Sequence, residues 1–300
     1  MNDQRRVIVP MLLFLLTLIL VFNRQNGAAE FTFFLMFAWL LILIVKESEA
    51  TGEKESAYNI HPITTPYNVY YGDELKFTQD TITTCLAKHL PYYNCLGADE
   101  KERFLDRLNK FIRAKTFKIH DKQGFKEMPI LVSAAAIQLS FGMEAYLLPQ
   151  FEFIHIYPEE FMRGHHNFDL LAGNVSGQSI NISWKHFLEG FELPNDGQNV
   201  GLHEMAHAYY YQNFVCKENT DQFFVNGYPQ FDINANKAFE QEKAPGNDLY
   251  SEYALRNTQE FWAESIEIFF EKPVYLNNTY PDLYAALRST LRQDPLNMKV

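Results

Sequence analysis

The nine residues Asn199-Val200-Gly201-Leu202-His203-Glu204-Met205-Ala206-His207 carry an HExxH pattern inside a helical run of apolar positions. Spacing i, i+4 sets both imidazoles on one helix face, a turn apart, where they can share a metal ion. Glu204 follows the first histidine directly and can reach a water on that metal without binding the metal itself. Zinc lowers the pKa of such a water towards about 7, and a carboxylate can then take its proton as the water attacks a carbonyl. In a chain of this composition the pattern would arise by chance about 0.02 times, so it is informative. Val200, Leu202, Met205, Ala206 and Tyr210 make the segment apolar enough to bury, and a buried histidine pair without a metal or a partner is costly. A helix over 199–213 bearing a Zn2+ site is the expectation.

An open zinc site needs a third protein ligand. The next strongly helical stretch, Asn257–Glu271, offers Glu260, Glu264, Glu267 and Glu271. The first three share one face at i, i+4, i+7, where like charges repel unless a cation or a hydrogen-bonded network absorbs them. Phe261, Trp262, Ile266, Phe269 and Phe270 border that face, so little of the helix can be wet. Asn257 and Glu260 also stand at capping-box spacing. One of these glutamates is expected on the metal; spacing alone leaves open which.

Elsewhere the soluble part mixes helices and strands without regular alternation. Asp99 reads as an N-cap with Glu102 three residues on, and Phe104, Leu105, Leu108, Phe111 and Ile112 mark one helix face. Ile130–Phe141 reads as a buried helix, Phe151–Tyr157 as a strand stopped by Pro158, and Ser179–Trp184 as a second strand after the turn-rich 173–177. Pro281–Arg292 closes the series as a last helix. The fold class is α+β rather than a doubly wound sheet.

These motifs resemble the Mlc titration factor A family of zinc-dependent peptidases. NVGLHEMAH is followed some fifty residues later by YALRNTQEFWAESIEIFFEKP, and LVSAAAIQLSFG, IHIYPEEF, INISWKHFLEG and RQDPLN keep the family's order over roughly residues 90–297. The chain also looks like the catalytic domain of anthrax lethal factor, a gluzincin. The resemblance implies a zincin-like metallopeptidase domain acting on a peptide or protein substrate. It implies His203 and His207 as zinc ligands, Glu204 as general base and Glu260 as third ligand. Tyr253, seven residues earlier, matches a tyrosine that steadies the oxyanion, a sensible task for a phenol donor. Glu264 matches a supporting acid of the lethal-factor type and Glu267 an acid of the titration-factor type; one of them would hold a histidine's free ring N–H, with Glu264 preferred. Ser179–Trp184 would be the cleft's edge strand, pairing with an extended substrate. Family members that bind a transcriptional repressor imply the alternative of a regulatory protein partner and little peptidase activity. Two features depart from the family: an apolar N-terminal segment, and the aromatic tract AYYYQNF at 208–214.

That N-terminal segment has 14 apolar residues in the 16 of Val7–Phe22 and 14 in the 15 of Phe31–Val45. At about 1.5 Å per residue the runs span roughly 24 and 23 Å, slightly under a bilayer core of about 30 Å. Ala28 and Ala29 extend the second run, and Asn26-Gly27 marks a turn between the two. A transmembrane helical hairpin over 1–46 is expected, with spans near 7–22 and 28–45, then a polar tether at 47–56 and the peptidase domain at 57–300. A cleaved signal peptide with one anchor, or a buried soluble hairpin, are the rival readings. Arg5, Arg6, Lys46 and Lys54 outside the hairpin against Arg24 inside it favour the inner membrane with the catalytic domain in the cytoplasm.

The full chain of 300 residues carries a formal net charge of -11, which excludes a nucleic-acid grip built on a basic surface. The first fifty residues net to zero, with Arg5, Arg6, Arg24 and Lys46 against Asp3, Glu30, Glu47 and Glu49, so the acidity belongs to the rest. Cys85, Cys95 and Cys216 form no CxxC pair, which excludes a cysteine zinc cluster and fits a reducing compartment. His165-His166 beside Arg163 point apart in a loop-like setting and carry no expected site.

Overall fold

A computed structural model describes residue 66 and residues 68–298, apart from 125–126, 163–169, 218 and 245. The expected hairpin, the tether and the His165-His166 pair lie outside the described residues. The chain divides into two compact units, Met1–Pro62 and Ile63–Val300, and the described residues all belong to the second. Among the described residues no helix is long and apolar enough to cross a membrane.

The second unit is α+β. Its strands are β1 (Asn68–Tyr71), β2 (Thr116–Ile119), β3 (Phe153–Tyr157), β4 (Phe161–Met162), β5 (Leu170–Leu171), β6 (Gly173–Ser176) and β7 (Ser179–Ser183). Five of them form one mixed sheet in the order β1-β2-β3-β7-β6, parallel at its centre and antiparallel at both edges. The helices are α1 (Gln79–His89), α2 (Pro91–Cys95), α3 (Ala98–Arg113), α4 (Glu127–Ser140), α5 (Trp184–Glu192), α6 (Val200–Tyr210), α7 (Gln222–Glu242), α8 (Thr258–Glu271), α9 (Pro273–Thr279) and α10 (Pro281–Leu291).

Why α4 sits at the centre follows from its sequence: small and apolar residues on every side leave no polar face, and Met128 through Ser140 are all buried. It packs against α6, which also meets β6, β7 and α8. The HExxH helix is thus clamped between the sheet edge and two helices, which fixes its rotation.

Three local expectations are corrected. The N-cap of α3 is Gly97, not Asp99: the Gly97 N–H donates to the Glu100 carboxylate at 2.9 Å, and Asp99 lies inside the helix. The edge strand is β6, not 179–184. Ser179–Ser183 lies inside the sheet between β3 and β6, with Ile180, Ile182 and Ser183 fully buried, and Trp184 opens α5. Residues 173–176, with weak strand formers at Gly173 and Asn174, form the edge because pairing with β7 supplies their hydrogen bonds. A two-residue turn at Gly177-Gln178 joins the two strands, and Gly177 takes the left-handed φ of 57° that such turns require. Finally, α6 stops at Tyr210, and Tyr211–Cys216 continues as a wider π-helix ended by left-handed Lys217.

Candidate active site

Asn199 starts the site. Its side chain caps α6 by accepting from the Leu202 N–H at 3.0 Å. Four and eight residues later His203 and His207 leave the helix on one face. Opposite runs α8, capped by Asn257, whose side chain accepts from the N–H groups of Gln259 and Glu260. Glu260, at the third position of α8, turns towards the two histidines. Trp262 locks the pair of helices by donating its indole N–H to the Ala206 carbonyl at 2.9 Å.

Three ligand atoms converge. His203 Nε2 lies 3.1 Å from His207 Nε2 and 3.1 Å from Glu260 Oε2, which is 3.2 Å from His207 Nε2. Among the described residues this is the one set of three or more such groups gathered closely enough to hold a metal. A tetrahedral zinc with bonds of about 2.0–2.1 Å spaces its ligand atoms by roughly 3.3 Å, so the triangle fits within a few tenths of an ångström. Nitrogen and carboxylate oxygen are donors that zinc accepts. Burial would raise the Glu260 carboxyl, but hydrogen bonds from His203 and His207 outweigh it and hold it well below the usual range.

Of the two acids that could support a ligand histidine, Glu267 is the one in contact. Its Oε1 lies 2.7 Å from His203 Nδ1, and its Oε2 accepts the Asn199 backbone N–H. That orients the His203 ring with Nε2 towards His207 and Glu260. Burial disfavours charge on His203, yet Glu267 and Glu260 more than offset it and keep its pKa well above 6.5. Glu264, preferred from sequence, points elsewhere: it accepts from the Ser251 N–H at 2.6 Å and the Ser251 hydroxyl at 2.5 Å. The reason is angular. On a helix with about 100° per residue, position i+7 returns to within roughly 20° of Glu260, whereas i+4 overshoots by roughly 40°.

Glu204 lines the same cavity, about 100° round α6 from His203. It is 4% exposed, and its Oε2 has no hydrogen-bond partner among the described residues. Burial pushes its carboxyl up to about 7, with His203 and His207 pulling the other way, which sets it as a proton acceptor near neutral pH. Gly173 on β6 makes room for it. A Cβ there would stand 2.5 Å from both Cγ and Oε1 of Glu204. Sequence reading passed over this glycine as part of a turn; a glycine within a strand, where another group comes close, was the available signal.

Tyr253 completes the rim. It is 44% exposed, its ring centroid lies 6.4 Å from that of His203, and the Arg256 guanidinium sits over it at 4.7 Å. Burial, then Glu260 and Glu204, raise the pKa of its phenol, so it is a hydrogen-bond donor at neutral pH. Tyr253, Glu204, His203, His207 and Glu260 line one cavity of about 240 Å3, roofed by Gly173, Asn174 and Val175. A second cavity of about 710 Å3 meets it at His203 and Tyr253 and continues along the α5–α6 connection. A groove therefore passes the site on both sides.

An α+β domain whose HExxH helix and glutamate helix present this triad beneath a sheet edge is a domain of the metallopeptidase class. The glucose-regulated metallo-peptidase M90 family matches residues 74–292, and the chain belongs to that family. It is similar to Mlc titration factor A of Edwardsiella ictaluri, 25% identical over 248 residues covering 73% of this chain and 90% of that protein. An uncharacterized Synechocystis protein is 24% identical over 229 residues, 70% of this chain and 83% of its own. Mlc titration factor A of Pectobacterium atrosepticum reaches 31% identity over 137 residues, 40% of this chain and 49% of that protein.

Proposed function

We propose that the chain is a zinc-dependent peptidase in which His203, His207 and Glu260 hold the metal. The observation that carries the reading is the converging triad together with the buried, unpartnered Glu204 oxygen facing the same cavity. Zinc held there would supply a Lewis acid for the scissile carbonyl and bring the pKa of water towards about 7. Glu204 takes the proton of the attacking water and returns it to the leaving amine. Tyr253 donates its phenol O–H to the developing oxyanion. Substrate lies extended along the free edge of β6, and the groove open on both sides of His203 accommodates an internal stretch of chain. The two apolar N-terminal runs anchor this domain to the inner membrane from the cytoplasmic side.

To test the chemistry, the full chain and its Glu204→Gln variant are compared for zinc content and peptide hydrolysis. Equal zinc and a loss of about 10² to 10⁴ in kcat is expected; equal hydrolysis would sink the mechanism. A reporter fused after Val300 reads the topology, and an extracytoplasmic signal would overturn it. The names of the relatives favour a second reading, a regulatory protein that binds a repressor-type partner. A zinc-loaded chain inert on a broad peptide library, yet binding purified Mlc, would favour that reading over peptidase action.

A further inference from the structure

The aromatic tract at 208–214 has a place in the site that the catalytic steps do not use. Three and four residues past His207, Tyr210 and Tyr211 return to the histidine face of the helix one turn further on. Both line the same cavity of about 240 Å3 as the triad, together with Leu171 and Val175. The tract is held there by its two amides. Gln212 and Asn213 are each 2% exposed. The Gln212 side-chain oxygen accepts the Gln150 N–H at 3.0 Å, while Asn213 donates to the Tyr209 carbonyl at 2.8 Å and accepts the Asp221 N–H at 2.6 Å. These bonds pin the π-helical turn, and such turns are frequent at functional sites. Tyr210 is backed by the rings of Phe214 and Tyr228, with centroids 4.9 and 5.4 Å away, and Tyr211 by Phe151 at 5.8 Å. Tyr211 is nonetheless 36% exposed, an aromatic surface left open beside the triad.

The two ends of the groove differ in chemistry. Beyond His203 its wall carries Glu189, Asp196, Asp248 and Lys272. Around His207, among the described residues, no lysine or arginine lines the cavity, and its carboxylates, Glu204 and Glu260, are those of the site itself. We infer that Tyr210 and Tyr211, with Leu171 and Val175, form a specificity subsite for a bulky apolar side chain of the substrate, above all an aromatic one, next to the scissile bond. A substrate ring packs on the two phenol rings in offset or edge-on contact and takes its apolar surface out of water. A charged side chain in the same place gives up its hydration, and the carboxylates beside it are committed to the metal and the proton. Because the far end of the groove is polar, an apolar side chain has one end to occupy, and the cut falls on a fixed side of it. The subsite deepens the peptidase proposal and rests on it.

The test uses the zinc-loaded full chain and alanine heptapeptides blocked at both ends, with phenylalanine, leucine, alanine, lysine or glutamate as the central residue. Values of kcat/KM are measured for each peptide, and the cut is located by mass spectrometry. Phenylalanine and leucine are expected to exceed the other three by at least about tenfold, with phenylalanine always on the same side of the cut. Tyr211→Ala should lower the phenylalanine-to-alanine ratio more than about threefold, and Tyr211→Phe should preserve it; a merely structural role lowers both peptides together and leaves the ratio alone. Binding of the same peptides to Glu204→Gln, which keeps the metal ligands, separates the subsite from peptidase action. Phenylalanine-selective binding without hydrolysis by the unmodified chain would overturn peptidase action and keep the subsite. Hydrolysis of all five peptides at similar rates, cuts on either side of phenylalanine, or a ratio that Tyr211→Ala leaves within about threefold would overturn the subsite and keep the peptidase. Neither binding nor hydrolysis would overturn both.

Discussion

The floor and the roof of the cleft are held by opposite means. On the floor, between α6 and α8, polar groups are tied in pairs: His203 to Glu267 and Glu260, Asn199 to Glu267 and Glu271, Trp262 to Ala206. On the roof, β6 contributes at Gly173 only the lack of a side chain, and the Glu204 carboxylate occupies that space. A floor made of bonds loses one partner at a time and degrades gradually. A roof made by exclusion fails with a single methyl group, since a packed interior has little room to give.

The largest effect should therefore come from the roof. In Gly173→Ala the new Cβ displaces Glu204 by an ångström or more, and misplacements of that size cost about 10² in rate. The atoms nearest the new Cβ all belong to Glu204 rather than to the triad, so zinc content should stay at the wild-type level. Steady-state kinetics with metal analysis checks both halves. Combining it with Glu204→Gln should cost little beyond Glu204→Gln alone, since residues acting as one unit are not additive. Wild-type kcat in Gly173→Ala would show that Glu204 relaxes freely and would remove the contrast between the two surfaces.

How far this arrangement was legible in the sequence differs between floor and roof in the same way. The His203, Glu204 and His207 cluster is local: helix geometry alone places it, so spacing suffices. Glu260 was visible as one of several acids on a helix face, but its meeting with the histidines depends on how α8 crosses α6, which no local pattern encodes. The choice between Glu264 and Glu267 turned on an angle of a few tens of degrees and went to Glu267. Gly173 was hidden because its residue type favours turns, and only pairing with buried β7 makes it a strand. Helix α7 was not read at all: it carries Pro229 and few buried positions over its 21 residues, so its periodicity is weak.

The floor can be dissected through its two neighbouring acids. Glu267→Ala removes the acceptor of His203 Nδ1 and should weaken zinc binding about 10- to 100-fold, the usual cost of losing a group that orients a ligand histidine. Glu264→Ala leaves that bond intact and should change zinc affinity by less than about threefold. Chelator competition on the two variants ranks them directly. If Glu264→Ala proved the weaker binder, the assignment of the supporting acid to Glu267 would be wrong.

Glu264 instead links the floor to the rim, and here the expected effect is smallest. Its carboxylate grips Ser251, whose hydroxyl accepts the Ala254 N–H at 3.2 Å, and Tyr253 lies within the turn so formed. Because Tyr253 is nearly half exposed, little packing holds it, and that turn supplies much of its order. Ser251→Ala should leave zinc content unchanged and lower kcat by about three- to tenfold, less than an active-site donor is worth when removed outright. The decisive comparison is with Tyr253→Phe. If Ser251 acts by placing the phenol, then once the hydroxyl is gone its placement no longer matters, and the double variant should be no slower than Tyr253→Phe alone. Full additivity would mean that the serine supports the cleft by another route, and that the rim, unlike the floor, is not organised around a single hydrogen-bond donor.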